Sequence, residues 1–212
     1  MSQFDETYKD KTIKGSTFPG KPYDFNQKII LNPAIIKEYL PAFDRAIPNS
    51  TKGLKLLLTI MAFKEGFYPK RNSAKVVVGT RSYVNNNPGN IGNDDAGNNV
   101  KYPTLEDGIR KQQSFVHDII NGKRKAFPMG KLKVIKPFYS EEIAKNSKLY
   151  GMSPWLPGYE FTFTGQLDQF VKIYSTGARG GNSYLNTIVS YFRSNGIIIT
   201  PESKLQDIIK AE

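Results

Sequence analysis

The sequence predicts a mainly helical domain of the α+β kind, and three observations predict it. Apolar residues recur at three- and four-residue spacings in separate stretches: Leu54, Leu57, Leu58 and Met61; Leu105, Ile109 and Val116; Leu167, Phe170, Val171 and Tyr174; Leu185, Ile188, Val189 and Phe192. The β-forming signal is small, a Val76-Val77-Val78 run with Arg81 to Val84 as its return strand. A length of 212 residues suits one well-buried domain with extensions and disfavours a second full domain.

The first 28 residues are polar and mixed in charge, with Gly15, Pro19, Gly20 and Pro22 interrupting any periodicity. They lack the apolar core of a secretory signal. Asn32-Pro33 reads as an N-cap and first helical position, and Ile35, Ile36, Tyr39 and Leu40 form an apolar stripe before Pro41 kinks or ends the helix. Asn49-Ser50-Thr51 then offers N-cap side chains to a helix that is apolar nearly all round between Leu54 and Phe63, the mark of a buried helix. Gly66 suits a left-handed cap and Pro69 follows, so this helix stops at or next to Glu65.

Glu65 lies four residues after Met61 and seven after Leu58, which puts its carboxylate on the extension of the apolar stripe. A helix C-terminus carries roughly half a negative charge, and apolar surroundings also oppose ionisation, so the expected carboxyl is one that holds its proton and can act as a general acid. Taken alone, a Glu at a helix end is more often a solvated surface residue. About twenty residues on comes Asn85-Asn86-Asn87-Pro88-Gly89-Asn90-Ile91. Pro88-Gly89 sets a turn, and the amides either close local backbone turns or face a polar ligand. Asn93 to Asn99 reads as a polar loop holding Asp94 and Asp95.

Thr104 caps a long helix in which Leu105, Ile109, Gln112, Val116 and Ile119 share a face, closed by Asn121-Gly122. Lys123 to Lys136 reads as a basic loop, Ser140 to Tyr150 as a helix, and Ser153 to Tyr159, with two prolines and the only tryptophan, Trp155, as irregular chain. Two core helices follow, and Ile197 to Glu212 reads as an extension.

The Glu65-Gly66-Phe67 helix end followed by Asn-Asn-Asn-Pro-Gly-Asn-Ile resembles the lysozyme-like muralytic enzymes of phages and bacteria, in which an Arg-Asn-Asn-Asn-Pro-Gly-Asn signature is frequent. Tyr102 to Gly108 resembles the segment opening that family's next helix, and Tyr174 with Gly181-Asn182 and Tyr184 resembles its Tyr-Ala-Pro…Asn…Tyr element. Val84 replaces the common Arg, and Ser175-Thr176 replaces Ala-Pro. The resemblance covers residues 51–196. It implies a lysozyme-like domain there, with a small β-hairpin or sheet beside the cleft, an N-terminal extension over 1–50 and a C-terminal one over 197–212. It further implies cleavage of the β-1,4 bond between N-acetylmuramic acid and N-acetylglucosamine, by a lytic transglycosylase or a lysozyme, with Glu65 as general acid/base and no cofactor. Asp94 or Asp95 is the possible second carboxylate, and Asn87, Asn90, Tyr174 and Trp155 are the candidate substrate contacts, against structural roles for the asparagines, a bond to Glu65 or a structural role for Tyr174, and a core or interface anchor for Trp155. Asn87 and Asn90 could instead position Glu65.

Composition narrows the chemistry. With no cysteine and a single histidine, His117, thiolate chemistry and a histidine-rich metal site are excluded, leaving carboxylates, amides, hydroxyls and tyrosines. The net charge of +11 favours polyanions: bacterial wall polymers, acidic partner proteins or nucleic acid. No nucleic-acid-binding pattern is present, so a specific nucleic-acid partner is not expected. The most apolar window is too short to span a bilayer. A wall-acting enzyme without a secretory signal must reach its substrate through lysis or in a virus particle, which fits a phage virion protein with other virion proteins as partners. The alternative from another class is a non-catalytic virion structural or wall-binding protein of the same fold.

Overall fold

The computed structural model describes residues 24–69, 79–92, 99–124, 130–133, 160–174 and 181–212. It is mainly helical. In chain order, a π-helical turn over Ile35–Tyr39 leads into α1 (Leu40–Ala46), followed by α2 (Lys52–Lys64), α3 (Arg81–Val84) and α4 (Leu105–Ile120). Then come β1 (Gly130–Lys133), β2 (Glu160–Phe163), α5 (Leu167–Tyr174), α6 (Gly181–Ser194) and α7 (Leu205–Ile208). No helix among the described residues is long and apolar enough to cross a membrane.

The chain divides into two compact units drawn from interleaved stretches. One holds Lys28–Asp118, Ser194–Ile197 and Asp207–Glu212, and so includes Glu65 together with residues of both expected extensions. The other holds Met1–Gln27, Ile119–Arg193 and Ile198–Gln206.

In the Glu65 unit, Asn32 starts the first helical segment as its letters predict: its carbonyl and its Oδ1 both accept from the Ile35 N–H at 3.1 Å. Pro41 does not end this segment. Proline has no N–H to bond four residues back, and the chain widens just before it, the Leu40 N–H bonding to the Ile35 carbonyl; helix then continues through Ala46. Thr51 caps α2 by accepting from the Leu54 N–H at 3.2 Å. Nearly every α2 side chain from Leu54 to Ala62 is buried, which identifies it as the central helix of this unit. The N-terminal end of α2 is also held from a distance. The Gly53 N–H bonds to the Ala211 carbonyl at 2.8 Å, and the Thr51 hydroxyl donates to the Ile209 carbonyl.

Arg81 to Val84, expected as a strand, is a helical turn instead. The Tyr83 and Val84 N–H groups both bond to the Thr80 carbonyl, at 3.1 and 2.9 Å, and the turn lets the Tyr83 ring pack on Phe67 at 5.0 Å between centroids. The Val76 to Val78 run lies outside the described residues, as do the expected helix over 140–150 and the irregular stretch over 153–159.

The other unit contains the sheet seen among the described residues. It is antiparallel, with Gly130 opposite Phe163 and Lys133 opposite Glu160. Part of the expected basic loop is therefore a strand, because pairing with β2 satisfies the backbone that a free loop would leave to water. After β2 the chain passes Gly165, at φ +79°, into α5, and residues 201–205 bind that corner: the Leu167 N–H reaches the Ser203 carbonyl, and the Leu205 N–H the Gly165 carbonyl. Phe163, Leu167, Phe170, Leu185, Ile188 and Phe192 form the core here.

Candidate active site

The residues around Glu65 are set by how α2 stops. The Gly66 N–H bonds to the Phe63 carbonyl at 3.2 Å and the Phe67 N–H to the Ala62 carbonyl at 3.0 Å, with Gly66 at φ +73°. This pair of bonds is a Schellman closure, and it needs a residue that takes positive φ at no steric cost. Glu65 is the C-cap residue and is half-buried. Phe67 turns inward, 1% exposed, between Tyr39 at 6.0 Å and Tyr83 at 5.0 Å. Tyr68 turns outward. Lys64 precedes the acid on the helix; burial lowers the pKa of its ammonium, and the Glu65 charge acts in the opposite direction.

Two hydroxyls tie this helix end to the chain beyond residue 79. Ser82 Oγ donates to the Glu65 carbonyl at 3.1 Å, and Thr80 Oγ1 donates to the Gly66 carbonyl at 2.5 Å, the two hydroxyls lying 3.3 Å apart. Thr80 also bonds through its backbone N–H to the Tyr68 carbonyl at 3.1 Å. A third tie comes from Asn32, whose Nδ2 donates to the Phe67 carbonyl at 3.2 Å. Carbonyls past a helix C-terminus lack intrahelical donors, and these side chains supply them.

The Asn-rich loop continues directly from Ser82, whose carbonyl accepts from the Asn87 N–H at 2.9 Å. The Asn90 N–H closes the Pro88-Gly89 turn on the Asn87 carbonyl at 2.9 Å. Asn87 is fully buried. Its Nδ2 donates to the Ile91 and Val100 carbonyls at 3.0 and 3.2 Å, and its Oδ1 accepts from the Ile91 N–H at 2.9 Å. These bonds give the carboxamide the structural role of holding the loop's own backbone. Asn86 and Asn90 both adopt φ +50°, a conformation that asparagine tolerates better than other side chains, and Asn90 is half-buried. Asn86 Nδ2 donates to the Tyr102 carbonyl at 3.1 Å.

The loop rests on α4. A Cβ added at Gly108 would stand 1.8 Å from the Asn86 carbonyl oxygen, so only glycine permits this approach. One turn further on, Gln112 is fully buried, donating through Nε2 to the Leu58 carbonyl at 3.0 Å and accepting from the Tyr39 hydroxyl at 2.8 Å. One glutamine thus joins α4 to α2 and to the π turn.

The structure therefore brings Glu65 and the Asn85–Ile91 loop together within one unit, through Ser82 and Thr80. Tyr174 belongs to the other unit, stacked on Phe170 at 5.3 Å and edge-on to Tyr184 at 6.0 Å. Asp94, Asp95 and Trp155 lie outside the described residues. Four other carboxylates of the Glu65 unit have identified partners: Glu38 accepts from Tyr83, Asp44 pairs with Lys55, Glu106 with Arg45, and Asp107 with Thr104 and Arg110. Among the described residues no group of three or more acidic or histidine side chains could hold a metal ion. Ser82, Thr80 and Asn32 carry no local signal of their part in this helix end, since each reaches a carbonyl distant in sequence. Gln112 carried a signal, a polar residue on the apolar face of a helix.

Protein-family models, curated proteins and solved structures were compared with the chain, and none matches it.

Proposed function

We infer that the protein is a peptidoglycan-degrading glycosidase of lysozyme-like fold, a lytic transglycosylase or lysozyme, with Glu65 as its general acid/base. The observation that carries this reading is the setting of Glu65. It is a half-buried glutamate at the Schellman-closed end of a buried helix, and its backbone carbonyl is fastened by Ser82 to the turn that opens the Asn85–Ile91 loop. The resemblance of these two motifs to phage-type muralytic enzymes supplies the substrate class, and a net charge of +11 suits an anionic wall. In this reading the protein belongs to a phage particle and opens the host wall.

Glycoside cleavage needs a proton on the leaving oxygen as the bond to the anomeric carbon breaks, and Glu65 supplies it. The incoming nucleophile must in turn give up a proton, to a second carboxylate or to the Glu65 carboxylate itself. If that nucleophile is water, activated by a second carboxylate such as Asp94 or Asp95, the product has a reducing end. If it is the 6-hydroxyl of the same sugar, assisted by the N-acetyl group, the product is a 1,6-anhydro end and Glu65 alone suffices.

The test is digestion of purified peptidoglycan by the wild type and by Glu65→Gln, with the fragments read by mass spectrometry. Glu65→Gln should lose several powers of ten in rate. A folded Glu65→Gln that kept most of the activity would remove Glu65 from this role. Absence of fragments from a folded wild type that still binds walls would favour the non-catalytic wall-binding or virion structural reading.

A further inference from the structure

Phe67 and Tyr68 are adjacent in sequence and opposite in fate: the first is 1% exposed, the second 42%. An exposed tyrosine is ordinary on a protein surface, so exposure alone calls for no explanation. What distinguishes Tyr68 is that its backbone is pinned. Its carbonyl accepts from the Thr80 N–H at 3.1 Å and its own N–H reaches Thr80 Oγ1 at 3.5 Å, so the exposed ring rides on fixed chain. The ring also leans on Gly66. A Cβ built there would stand 3.4 Å from Tyr68 Cε1 and 4.0 Å from Cδ1, ordinary van der Waals distances, so the ring lies beside the residue that follows Glu65.

We propose that Tyr68 is a carbohydrate platform, its ring face stacking on the C–H face of an N-acetylated amino sugar of the glycan strand at a position adjoining Glu65. The proposal rests on the reading of Glu65 as a glycan-cleaving acid. One face of a pyranose presents polarised C–H groups, which the electron-rich face of an aromatic ring attracts, while the hydroxyl at the ring's edge stays in water to meet sugar hydroxyls. Tyrosine orders only two side-chain torsions to do this, and the Thr80 bonds have already fixed the backbone beneath it.

The experiment uses the full chain carrying Glu65→Gln, which keeps the glycosidic bond intact, and an N-acetylglucosamine tetrasaccharide as the probe. Adding Tyr68→Ala should weaken binding by about three- to tenfold. Tyr68→Phe should stay within about twofold of the parent, because the ring face is kept. Tyr68→Leu keeps apolar bulk without a flat face and should behave like alanine. The Tyr68 ring resonances should shift as the tetrasaccharide is added. With Glu65 restored, Tyr68→Ala should raise KM by a similar factor and leave kcat nearly unchanged. Unchanged affinity and KM in a Tyr68→Ala protein whose parent cleaves walls would overturn the platform alone, as would full binding by Tyr68→Leu. A folded wild type that neither cleaves walls nor binds the tetrasaccharide would overturn the Glu65 reading, and the platform with it.

Discussion

The Ser82 hydroxyl donates to the backbone carbonyl of Glu65 at 3.1 Å, across 17 residues of sequence. Ser82 is itself buried, and its own carbonyl holds the Asn87 N–H, so one residue sets the spacing between the acid and the Asn-rich loop. Ser82→Ala should lower stability by about 1 kcal/mol, the net worth of one hydrogen bond. Wall digestion should slow by about tenfold, the lower end of what an orienting hydrogen bond contributes. Urea unfolding gives the first quantity and fragment release gives the second. Unchanged digestion would show that Glu65 holds its place without Ser82.

Asn87→Ala would leave the Ile91 N–H and the Ile91 and Val100 carbonyls without the buried carboxamide that they share. Expected destabilisation is about 2–4 kcal/mol, read from the urea midpoint. Asn87→Asp should be at least as harmful, since a buried carboxylate cannot donate to two carbonyls. A small effect from both would mean that the loop is not held in this way.

Gly108→Ala gives a sign opposite to that of helix propensity. Alanine favours a helix interior over glycine by about 1 kcal/mol. At this position, however, the added Cβ would overlap the Asn86 carbonyl oxygen at 1.8 Å and the Pro88 ring at 2.9 Å. The variant should therefore melt lower, by about 2 kcal/mol or more in unfolding free energy. A raised melting temperature by circular dichroism would contradict the packing of the loop on α4.

Tyr39 is fully buried and its pKa is pushed well above the usual value of 10.0 by desolvation. The unfolded chain therefore releases this proton first as pH rises past 10, and the stability that Tyr39 contributes, complete below pH 10, is lost above it. Unfolding midpoints should fall steeply on the alkaline side. Tyr39→Phe should flatten part of that fall while costing about 1–3 kcal/mol at neutral pH, because Gln112 Oε1 then loses its buried donor. A titration from pH 7 to 11 on both proteins separates the two effects.

The helices announced themselves in the sequence because their signals are local. Thr51, Gly66 and the apolar run between them set both ends of α2 through bonds a few residues long. The Asn-Pro-Gly turn was legible for the same reason. What the letters did not carry was which distant partner each polar group finds. Arg81 to Val84 has strand-like side chains, yet its backbone closes on Thr80, and its Tyr83 ring seeks Phe67. Pro41 reads as a residue that kinks or ends a helix, and a single widened turn carries the helix past it. Gln112 could be marked as a polar residue that must be satisfied, but its two partners, on α2 and the π turn, come from other parts of the chain.

The bonds from Gly53 to Ala211 and from Thr51 to Ile209 bear on how the chain comes together in time. Synthesis proceeds from the N-terminus, so Thr51 and Gly53 leave the ribosome long before residues 209–211 exist. The start of the helix that ends at Glu65 therefore cannot be completed while the chain is still being made past residue 200. Contacts of such long sequence separation slow folding, since a large loop must close before they are rewarded. Until then, the most apolar helix among the described residues waits without its final support, its apolar surface open to the wrong partners.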